Sequence, residues 1–109
     1  MRNKLKIKIM KTKIYISGRI SGLTEREYKQ NFLDAEWVIA CTNRYADRVN
    51  PCDIKPLFGI KSYWFHMAAD IWALLFCSHV AFQKNWIDSK GARIEMLVAI
   101  LFNKKIIML

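Results

Sequence analysis

Residues 86–95 read Trp-Ile-Asp-Ser-Lys-Gly-Ala-Arg-Ile-Glu, and this stretch decides how the rest of the chain is interpreted. It follows a short apolar run at 79–83 and opens a segment with helical spacing of apolar residues at 91–102. A serine, a glycine and two acidic residues therefore stand where a strand gives way to a helix. In an α/β protein a ligand binds at such a position. If the protein catalyses a reaction, we expect Glu95 to carry it out.

Strands and helices alternate on both sides of this stretch. The four predicted strands cover 13–17, 48–50, 79–83 and 105–109. The predicted helices run from a Thr24–Glu27 capping box to about Cys41, from a Ser62 cap to 75, and over 91–102, with an irregular loop at 51–61. The apolar spacing of the second helix predicts a buried stripe, formed by Trp64, Met67, Ala68, Ile71, Leu74 and Leu75.

This alternation predicts right-handed crossovers and a parallel sheet. We expect an α/β fold, a small three-layer sandwich of the flavodoxin-like or Rossmann-like kind. Its four-stranded parallel sheet has the predicted order 2-1-3-4. In such sheets the ligand binds beyond the carboxyl ends of the strands where strand order reverses, here between strands one and three. The loops 17–22 and 84–89 therefore form the two walls of the predicted crevice.

The composition is that of one globular domain. A chain of 109 residues with 53% hydrophobic and 25% charged residues can bury a single core. No apolar run approaches the roughly 18 residues of a membrane span, and the N-terminus lacks the apolar segment of a secretory signal. The three cysteines, Cys41, Cys52 and Cys77, are an odd number without metal-type pairing. They indicate reduced, mostly buried thiols, no metal site and a cytoplasmic location.

Basic residues are concentrated at the N-terminus. The formal net charge is +9, but six of the 18 basic residues precede Ile14 and no acidic residue accompanies them. We therefore interpret residues 1–12 as a basic N-terminal extension and 13–109 as the domain, and we do not expect nucleic acid as a partner. The extension is either a solvated tail or an arm that binds acidic surfaces.

The loop after the first strand, residues 18–22, reads Gly-Arg-Ile-Ser-Gly. Gly18 and Gly22 let the backbone approach a ligand closely, and Arg19 has the fork geometry that binds phosphate. The loop matches neither a dinucleotide-binding nor a P-loop motif, so a plain turn is the alternative. Together with Ser17 at the strand end, these residues are candidate substrate ligands.

Three polar side chains have alternative interpretations. Tyr15 either packs within a covered sheet or points its hydroxyl into the crevice. Asp70 lies among apolar residues of the second helix, where a carboxylate is costly unless it is paired or faces a cavity or solvent. Ser89 is either the helix N-cap or an anion ligand, and Asp88 could equally be a simple cap. Two carboxylates over one crevice, here Asp70 and Glu95, would have the geometry of retaining glycosyl chemistry.

Together these segments resemble domain-of-unknown-function family 4406, whose members are related to the nucleoside 2-deoxyribosyltransferases. The resemblance covers about Lys11 to Leu109 and is most specific in the opening stretch. The segments that carry it are 13–18, 20–22, Asn50-Pro51, Met67 and Asp70 with 74–75 and Cys77, Trp86, and 89–93 with Glu95. The chain departs from the family pattern at Arg19, where proline is usual, and at Ser78, where aspartate is usual.

The resemblance implies a role for each candidate residue. Glu95, in a Gly-x-x-x-Glu helix start with Gly91, matches the glutamate that attacks the anomeric carbon of a nucleoside. Asp70 matches an aspartate that assists at the leaving base, and Tyr15 matches a tyrosine that orients the glutamate. In related enzymes a serine six residues before the glutamate holds the 5′-phosphate, and Ser89 has that spacing. Trp86 either lines the base pocket or belongs to the core.

The expected function is that of an N-glycosyl hydrolase or transferase acting on a nucleoside or nucleoside monophosphate, without a metal or organic cofactor. The alternative is a non-catalytic nucleotide-binding or sensor domain, favoured because the sequence has no counterpart of the C-terminal segment with which the transferases complete their site. The four tryptophans cannot all be central in so small a core. With the oligomers of the family, they predict a homo-oligomer, either a dimer or a tetramer.

Overall fold

The computed structural model describes residues 12–42, 46–53 and 63–109. Strands and helices alternate through these residues, as predicted. In chain order they are β1 (Lys13–Ser17), α1 (Glu25–Thr42), β2 (Asp47–Val49), α2 (Tyr63–Leu75), β3 (His79–Phe82), α3 (Lys90–Leu101) and β4 (Lys105–Met108). Short 3₁₀ turns cover Pro51–Asp53 and Trp86–Asp88. The predicted Ser62 cap and most of the predicted loop at 51–61 lie outside the described residues.

The four strands form one parallel sheet with the order β2-β1-β3-β4, which confirms the predicted topology. In the central pair Tyr15 is aligned with Val80 and Ser17 with Phe82. Order reverses between β1 and β3, because the chain leaves β1 toward β2 on one side and later returns to β3 on the other. The carboxyl ends of these two strands are therefore the place where a ligand site is expected.

Helices cover both faces of the sheet, since side chains alternate along each strand. Ile14 and Ile16 of β1 point toward α1, in a cluster formed by Ile14, Ile16, Phe32, Ala35, Ile39 and Ala81. Tyr15 points to the other face, in a cluster with α2 and α3 formed by Tyr15, Leu74, Cys77, Val80, Phe82 and Ala99. The result is the predicted three-layer sandwich.

Local hydrogen bonds mark where α1 begins and where β2 ends. The predicted capping box is present at the start of α1: the Thr24 amide donates to Glu27 Oε1 at 2.9 Å, and the Glu27 amide donates to Thr24 Oγ1 at 3.2 Å. Strand β2 ends one residue earlier than predicted. The buried Asn50 leaves the strand because its side-chain oxygen accepts a hydrogen bond from the Cys52 amide at 2.9 Å.

The predicted buried stripe of α2 is only partly correct. Met67 and Leu74 are buried as predicted, but Trp64 and Ala68 are exposed. Nearly every position of this helix is apolar, with His66 and Asp70 as exceptions, so the spacing of apolar residues does not define which side faces the sheet. The two polar residues of this helix, His66 and Asp70, lie on the side that lines the cavity.

The cysteine environments differ from the expectation of buried thiols. Cys77 is buried, Cys52 is partly buried and Cys41 is exposed. No helix within 12–42, 46–53 or 63–109 combines the length and apolar character needed to cross a membrane. The proposed N-terminal extension falls almost entirely on residues outside the described part, so that division of the chain stays a prediction.

Candidate active site

The carboxylate of Glu95 is the centre of the site. Glu95 lies in the second turn of α3 and is only 5% exposed. The Tyr15 hydroxyl donates a hydrogen bond to its Oε2 at 2.5 Å, and the Ser17 hydroxyl donates one to its Oε1 at 2.8 Å. Both carboxylate oxygens are thus held by different hydroxyl groups, and the orientation of the carboxylate is fixed.

The pleat of β1 explains why these two hydroxyls meet one carboxylate. Residues 15 and 17 of a strand point to the same face, which is the face that α3 covers. Both side chains are fully buried. On α3, Ala92, Glu95 and Ala99 form the buried side, so Glu95 points at the strand. Two small neighbours leave room for the longer carboxylate side chain to reach Tyr15 and Ser17.

Asp70 approaches the same place from α2. It is partly buried and lines the same cavity as Glu95. Burial raises the pKa of the Asp70 carboxyl to about 7. Its charge also raises the pKa of Glu95, which shows that the two carboxylates are electrostatically coupled. Asp70 and Glu95 line one cavity and Tyr15 binds Glu95, so the structure brings the three residues together.

Burial also governs the ionisation of Glu95. It raises the pKa of the Glu95 carboxyl to about 7, while the hydrogen bonds from Tyr15 and Ser17 act in the opposite direction and stabilise the anion. The pKa of Tyr15 lies well above its usual value, first because of burial and then because of the negative charge of Glu95. Tyr15 consequently keeps its proton and remains a hydrogen-bond donor to the carboxylate.

A cavity of about 390 Å³ opens above these groups, a size suited to a small organic molecule. It lies at the predicted switch point, between the loop after β1 and the N-terminus of α3. The residues that line it are Gly18, Ile20, Ser21, Tyr28, Pro51, Cys52, His66, Met67, Asp70, Ser89, Gly91, Ala92 and Glu95. Its floor is acidic, and its walls are mainly apolar with a few polar groups.

The sequence left open whether Ser89 caps the helix or faces a ligand, and in the structure it caps the helix and also lines the cavity. It is the N-cap of α3, since its Oγ accepts a hydrogen bond from the Ala92 amide at 3.2 Å. It also lines the cavity, and a serine hydroxyl can donate one hydrogen bond while it accepts another. Asp88 is exposed in the preceding 3₁₀ turn, so the predicted cap at Asp88 is wrong and Ser89 caps the helix instead.

A second, more polar depression adjoins the cavity and shares Ser21 and Ser89 with it. Arg19, Lys90 and Arg93 line it. The Arg19 side chain is oriented by a hydrogen bond from Nε to the Ser21 carbonyl at 2.9 Å. Three cations against one acid, Asp88, give this depression a positive charge at the edge of an acidic cavity.

The glycine loop is shaped by its neighbours. A Cβ at Gly18 would lie within 2.4 Å of the buried side-chain amide of Gln83, so any larger residue there requires that amide to move. Gly22 has a φ of 82°, a left-handed conformation that favours glycine. The Arg19 amide donates to Asn85 Oδ1 at 3.1 Å, which ties this loop to the loop after β3. The two predicted walls of the crevice are thus connected directly.

Residues 12–108 match the model of the family described as Domain of unknown function (DUF4406). The chain belongs to this family. Since the match spans nearly all of the described residues, the sheet, the cavity and the Tyr15–Ser17–Glu95 cluster all lie within the DUF4406 domain. A search of curated protein sequences found no match.

Two solved structures have the same fold as this DUF4406 domain. One is the 2-deoxyribosyltransferase of Bacillus psychrosaccharolyticus, with a TM-score of 0.64 and 16% identity over 89% of this chain and 71% of that one. The other is a conserved protein from Enterococcus faecalis V583, with a TM-score of 0.66 and 17% identity over 90% of this chain and 62% of that one. The chain thus spans less than two thirds of the second protein. At these identities the likeness establishes the α/β fold.

Four of the seven predicted ligand residues, Ser17, Arg19, Gly22 and Trp86, do not line the cavity. Ser17 is buried beneath the cavity and binds Glu95, so it positions the carboxylate and does not line the cavity. Trp86 packs edge-on against Phe82, with ring centroids 5.6 Å apart, and belongs to the core. Gly22 and Arg19 border the second depression instead of the cavity. Gly18, Ser89 and Gly91 line the cavity as predicted.

Several cavity residues of the DUF4406 domain were not predicted from the sequence, among them Tyr28, Pro51, Cys52, His66 and Met67. His66 could have been found, because it precedes Asp70 by four residues and therefore lies on the same side of α2. Tyr28 was interpreted only as part of the helical spacing of α1. The chain near Cys52 reaches the cavity through the turn after β2, and no sequence pattern marks that contact.

Proposed function

We propose that the protein is an N-glycosyl hydrolase or transferase that acts on a nucleoside or nucleoside monophosphate through Glu95 as the nucleophile. The observation that carries the proposal is the buried Glu95 carboxylate, held through both oxygens by Tyr15 and Ser17 beside a cavity that Asp70 also lines. A fixed carboxylate beside a second carboxyl group is the arrangement that retaining glycosyl chemistry requires. The shared fold with a 2-deoxyribosyltransferase supports the same class of substrate.

The reaction proceeds in two displacements. A carboxylate oxygen of Glu95 attacks C1′ of the sugar, the bond from C1′ to the base nitrogen breaks, and its electron pair leaves with the base. Asp70, in its neutral form, gives its proton to that base. Water then attacks C1′ of the glycosyl ester and releases Glu95, while Asp70 takes up the proton of the water. An incoming base in place of water gives transfer instead of hydrolysis.

The environments of the two acids suit these roles. Two hydroxyls donate hydrogen bonds to Glu95 and favour its anion, whereas Asp70 has no hydrogen-bond donor among the residues in the described ranges. Since both carboxyls have a pKa of about 7 and repel one another as anions, the pair retains one proton near neutral pH. We assign that proton to Asp70, because hydrogen bonds from Tyr15 and Ser17 stabilise the anion of Glu95, and a nucleophile and an acid are then present together. This chemistry requires no metal or organic cofactor.

The second depression is suited to the 5′-phosphate of a nucleoside monophosphate. Ser89 can donate its hydroxyl proton from the helix N-terminus, where the backbone dipole favours an anion. Arg19 lies beside it, with Lys90 and Arg93 at the rim. Gly18 lets the backbone approach the ligand at the junction with the cavity. A sugar above Glu95 would then place its phosphate among cations and away from the acidic pair.

Base release from a panel of ribo- and deoxyribonucleosides and their 5′-monophosphates tests the proposal. We expect turnover of at least one compound, measured by chromatography of the free base, with monophosphates preferred over nucleosides. Calorimetric titration of the same compounds runs in parallel. Binding without base release from any compound would contradict the enzyme and would instead support the non-catalytic nucleotide-binding or sensor domain.

Ser17→Ala tests whether Ser17 positions and ionises the nucleophile. Loss of a hydrogen bond to a charged carboxylate costs about 1.5–3 kcal/mol, so we expect the pKa of Glu95 to rise by roughly one unit above its present value and kcat at neutral pH to fall about tenfold. Because the anion is the reactive form, the acidic limb of the pH–rate profile should move to higher pH. The matched control is Ser78→Ala, an exposed serine away from the cavity. A lower rate with an unshifted limb would contradict this role.

A further inference from the structure

A further cavity lies on the face of the sheet that α1 covers, and it is called the α1 cavity below. Its volume is about 290 Å³. Helix α1 lines it on one side, and the loop after β3 together with Leu109 lines it on the other. It shares no lining residue with the cavity above Glu95 or with the second depression. The α1 cavity is therefore a separate place in the fold.

Gln83 gives the α1 cavity a buried polar group without a partner. It follows Ala81 by two residues and so points to the α1 side of the sheet. The side chain is only 7% exposed, and its Nε2 has no hydrogen-bond partner within residues 12–42, 46–53 and 63–109. Such a group costs folding free energy, and buried amides in native proteins usually have a partner in the protein, in water or in a ligand.

The backbone at Gln83 is fixed, whereas its amide can turn. The Gln83 amide N–H donates to the Ser17 carbonyl at 2.9 Å, and the Gln83 carbonyl accepts from the Trp86 amide at 3.0 Å. The last torsion of a glutamine side chain is broad, so the side-chain amide can turn its nitrogen toward an acceptor in the α1 cavity. A ligand with a carbonyl or ring-nitrogen acceptor would satisfy this donor.

Two more side-chain amides border the same space. Asn31 on α1 and Asn85 in the loop after β3 are both partly buried and line the α1 cavity. Asn85 Oδ1 accepts a hydrogen bond from the Arg19 amide at 3.1 Å, which orients the amide plane. An asparagine amide has two donors besides that acceptor. Three planar amides thus surround one small cavity.

The side chains that line the α1 cavity carry no net charge. Asp34 and Lys84 have opposite charges, and both are exposed. The second depression differs, because three cations line it against one acid. The α1 cavity therefore favours a neutral ligand over a phosphate or a nucleotide. Ala35 and Val38 add apolar surface that can contact the face of a ring.

We propose that the α1 cavity binds a free nucleobase. A nucleobase is neutral and planar, with donors and acceptors along its edge, and asparagine and glutamine pair with such an edge through one donor and one acceptor. The volume lies just below the range of about 300–1,000 Å³ typical of sites for larger ligands, which suits a base without its sugar. The proposal does not depend on the proposed function, since the two sites share no lining residue.

Two variants from different elements are needed to test this site. The Gln83 amide packs directly against the backbone of Gly18, which lines the cavity above Glu95. A change at Gln83 could therefore act through Gly18 on that cavity. Asn31 lies on α1 and lines only the α1 cavity among the three. A loss of affinity in both variants assigns the base to the α1 cavity.

Calorimetric titration with adenine, hypoxanthine, cytosine and uracil tests the proposal. We expect at least one base to bind, and Gln83→Met and Asn31→Ala each to raise its dissociation constant about five- to tenfold, the effect of losing one hydrogen bond. The matched control is Gln30→Met, the same exchange at an exposed glutamine of α1 that does not line the α1 cavity. Its dissociation constant should stay within about twofold of the wild type.

Thermal unfolding and NMR separate a ligand site from a role in folding. Gln83→Met removes a buried amide without a partner, so its thermal midpoint should stay at or above that of the wild type. The side-chain amide signals of Gln83 and Asn31 should shift when the base is added, and those of Gln30 should not. Absence of binding by all four bases, or affinity unchanged in Asn31→Ala, would overturn the proposal. A lower midpoint of Gln83→Met with unchanged affinity would also overturn it, because the amide would then serve the fold alone.

Discussion

Glu95→Gln should lower kcat for base release by at least about 10⁴-fold, the scale seen when an enzyme loses its nucleophile. Glutamine keeps the length of the side chain and one oxygen that can accept a hydrogen bond from Tyr15 or Ser17. An amide oxygen is too weak a nucleophile to form the ester with C1′. The affinity for a nucleoside monophosphate should stay within about tenfold of the wild type, because the predicted phosphate contacts lie elsewhere. Chromatography of the base and calorimetric titration measure the two effects.

The matched control for this variant is Glu25→Gln. It removes the same charge at an exposed position in the first turn of α1, where Glu25 pairs with Lys29 on the helix surface. Its rate should equal that of the wild type. If Glu95→Gln retained more than about one per cent of the activity, the bond to C1′ would not form on Glu95, because loss of a positioned acid or base alone costs about 10²–10⁴-fold.

The sheet could be predicted because its strands are short, β-rich and separated by clear turn and cap signals. The Thr24–Glu27 capping box and the switch-point position of the two loops followed from local patterns. The orientation of α2 could not be predicted from such patterns. Because α2 is apolar on nearly every side, the spacing of its residues does not predict which side faces the sheet. That side depends on tertiary packing, which places Asp70 at the cavity.

Candidate site residues could be selected from the sequence by their place in a family pattern, as with Glu95, Asp70 and Tyr15, and their catalytic roles stay predictions. The role of Ser17 was missed although the period of a strand implies it, since a residue two places after Tyr15 shares its face. The environment of Trp86 could not be predicted from its position in the sequence. It follows β3 closely enough to line the crevice, but its ring packs against Phe82, and such a choice depends on tertiary contacts that sequence spacing does not contain.

Asp70→Asn is expected to make the protein less active and more stable at pH 8. Asparagine cannot protonate the leaving base, so base release should fall about 10²–10⁴-fold. The stability effect follows from the raised pKa of about 7 in the folded chain, against an ordinary value of 3.8. The folded chain favours the neutral carboxyl of Asp70. Its contribution to the free energy of unfolding is complete below about pH 4 and is lost as the pH rises through 7. Above that pH the wild type buries a charge that asparagine lacks.

The free energy of unfolding of Asp70→Asn should therefore exceed that of the wild type by about 2–4 kcal/mol at pH 8, and the difference should shrink toward pH 4. Denaturant titrations at both pH values measure it. Asp88→Asn, the same exchange at an exposed position, should change stability by less than about 0.5 kcal/mol at either pH. If Asp70→Asn destabilised the protein equally at both pH values, the charge of Asp70 would not reduce the stability of the wild type at pH 8. The prediction that burial of this acid costs stability would then be wrong.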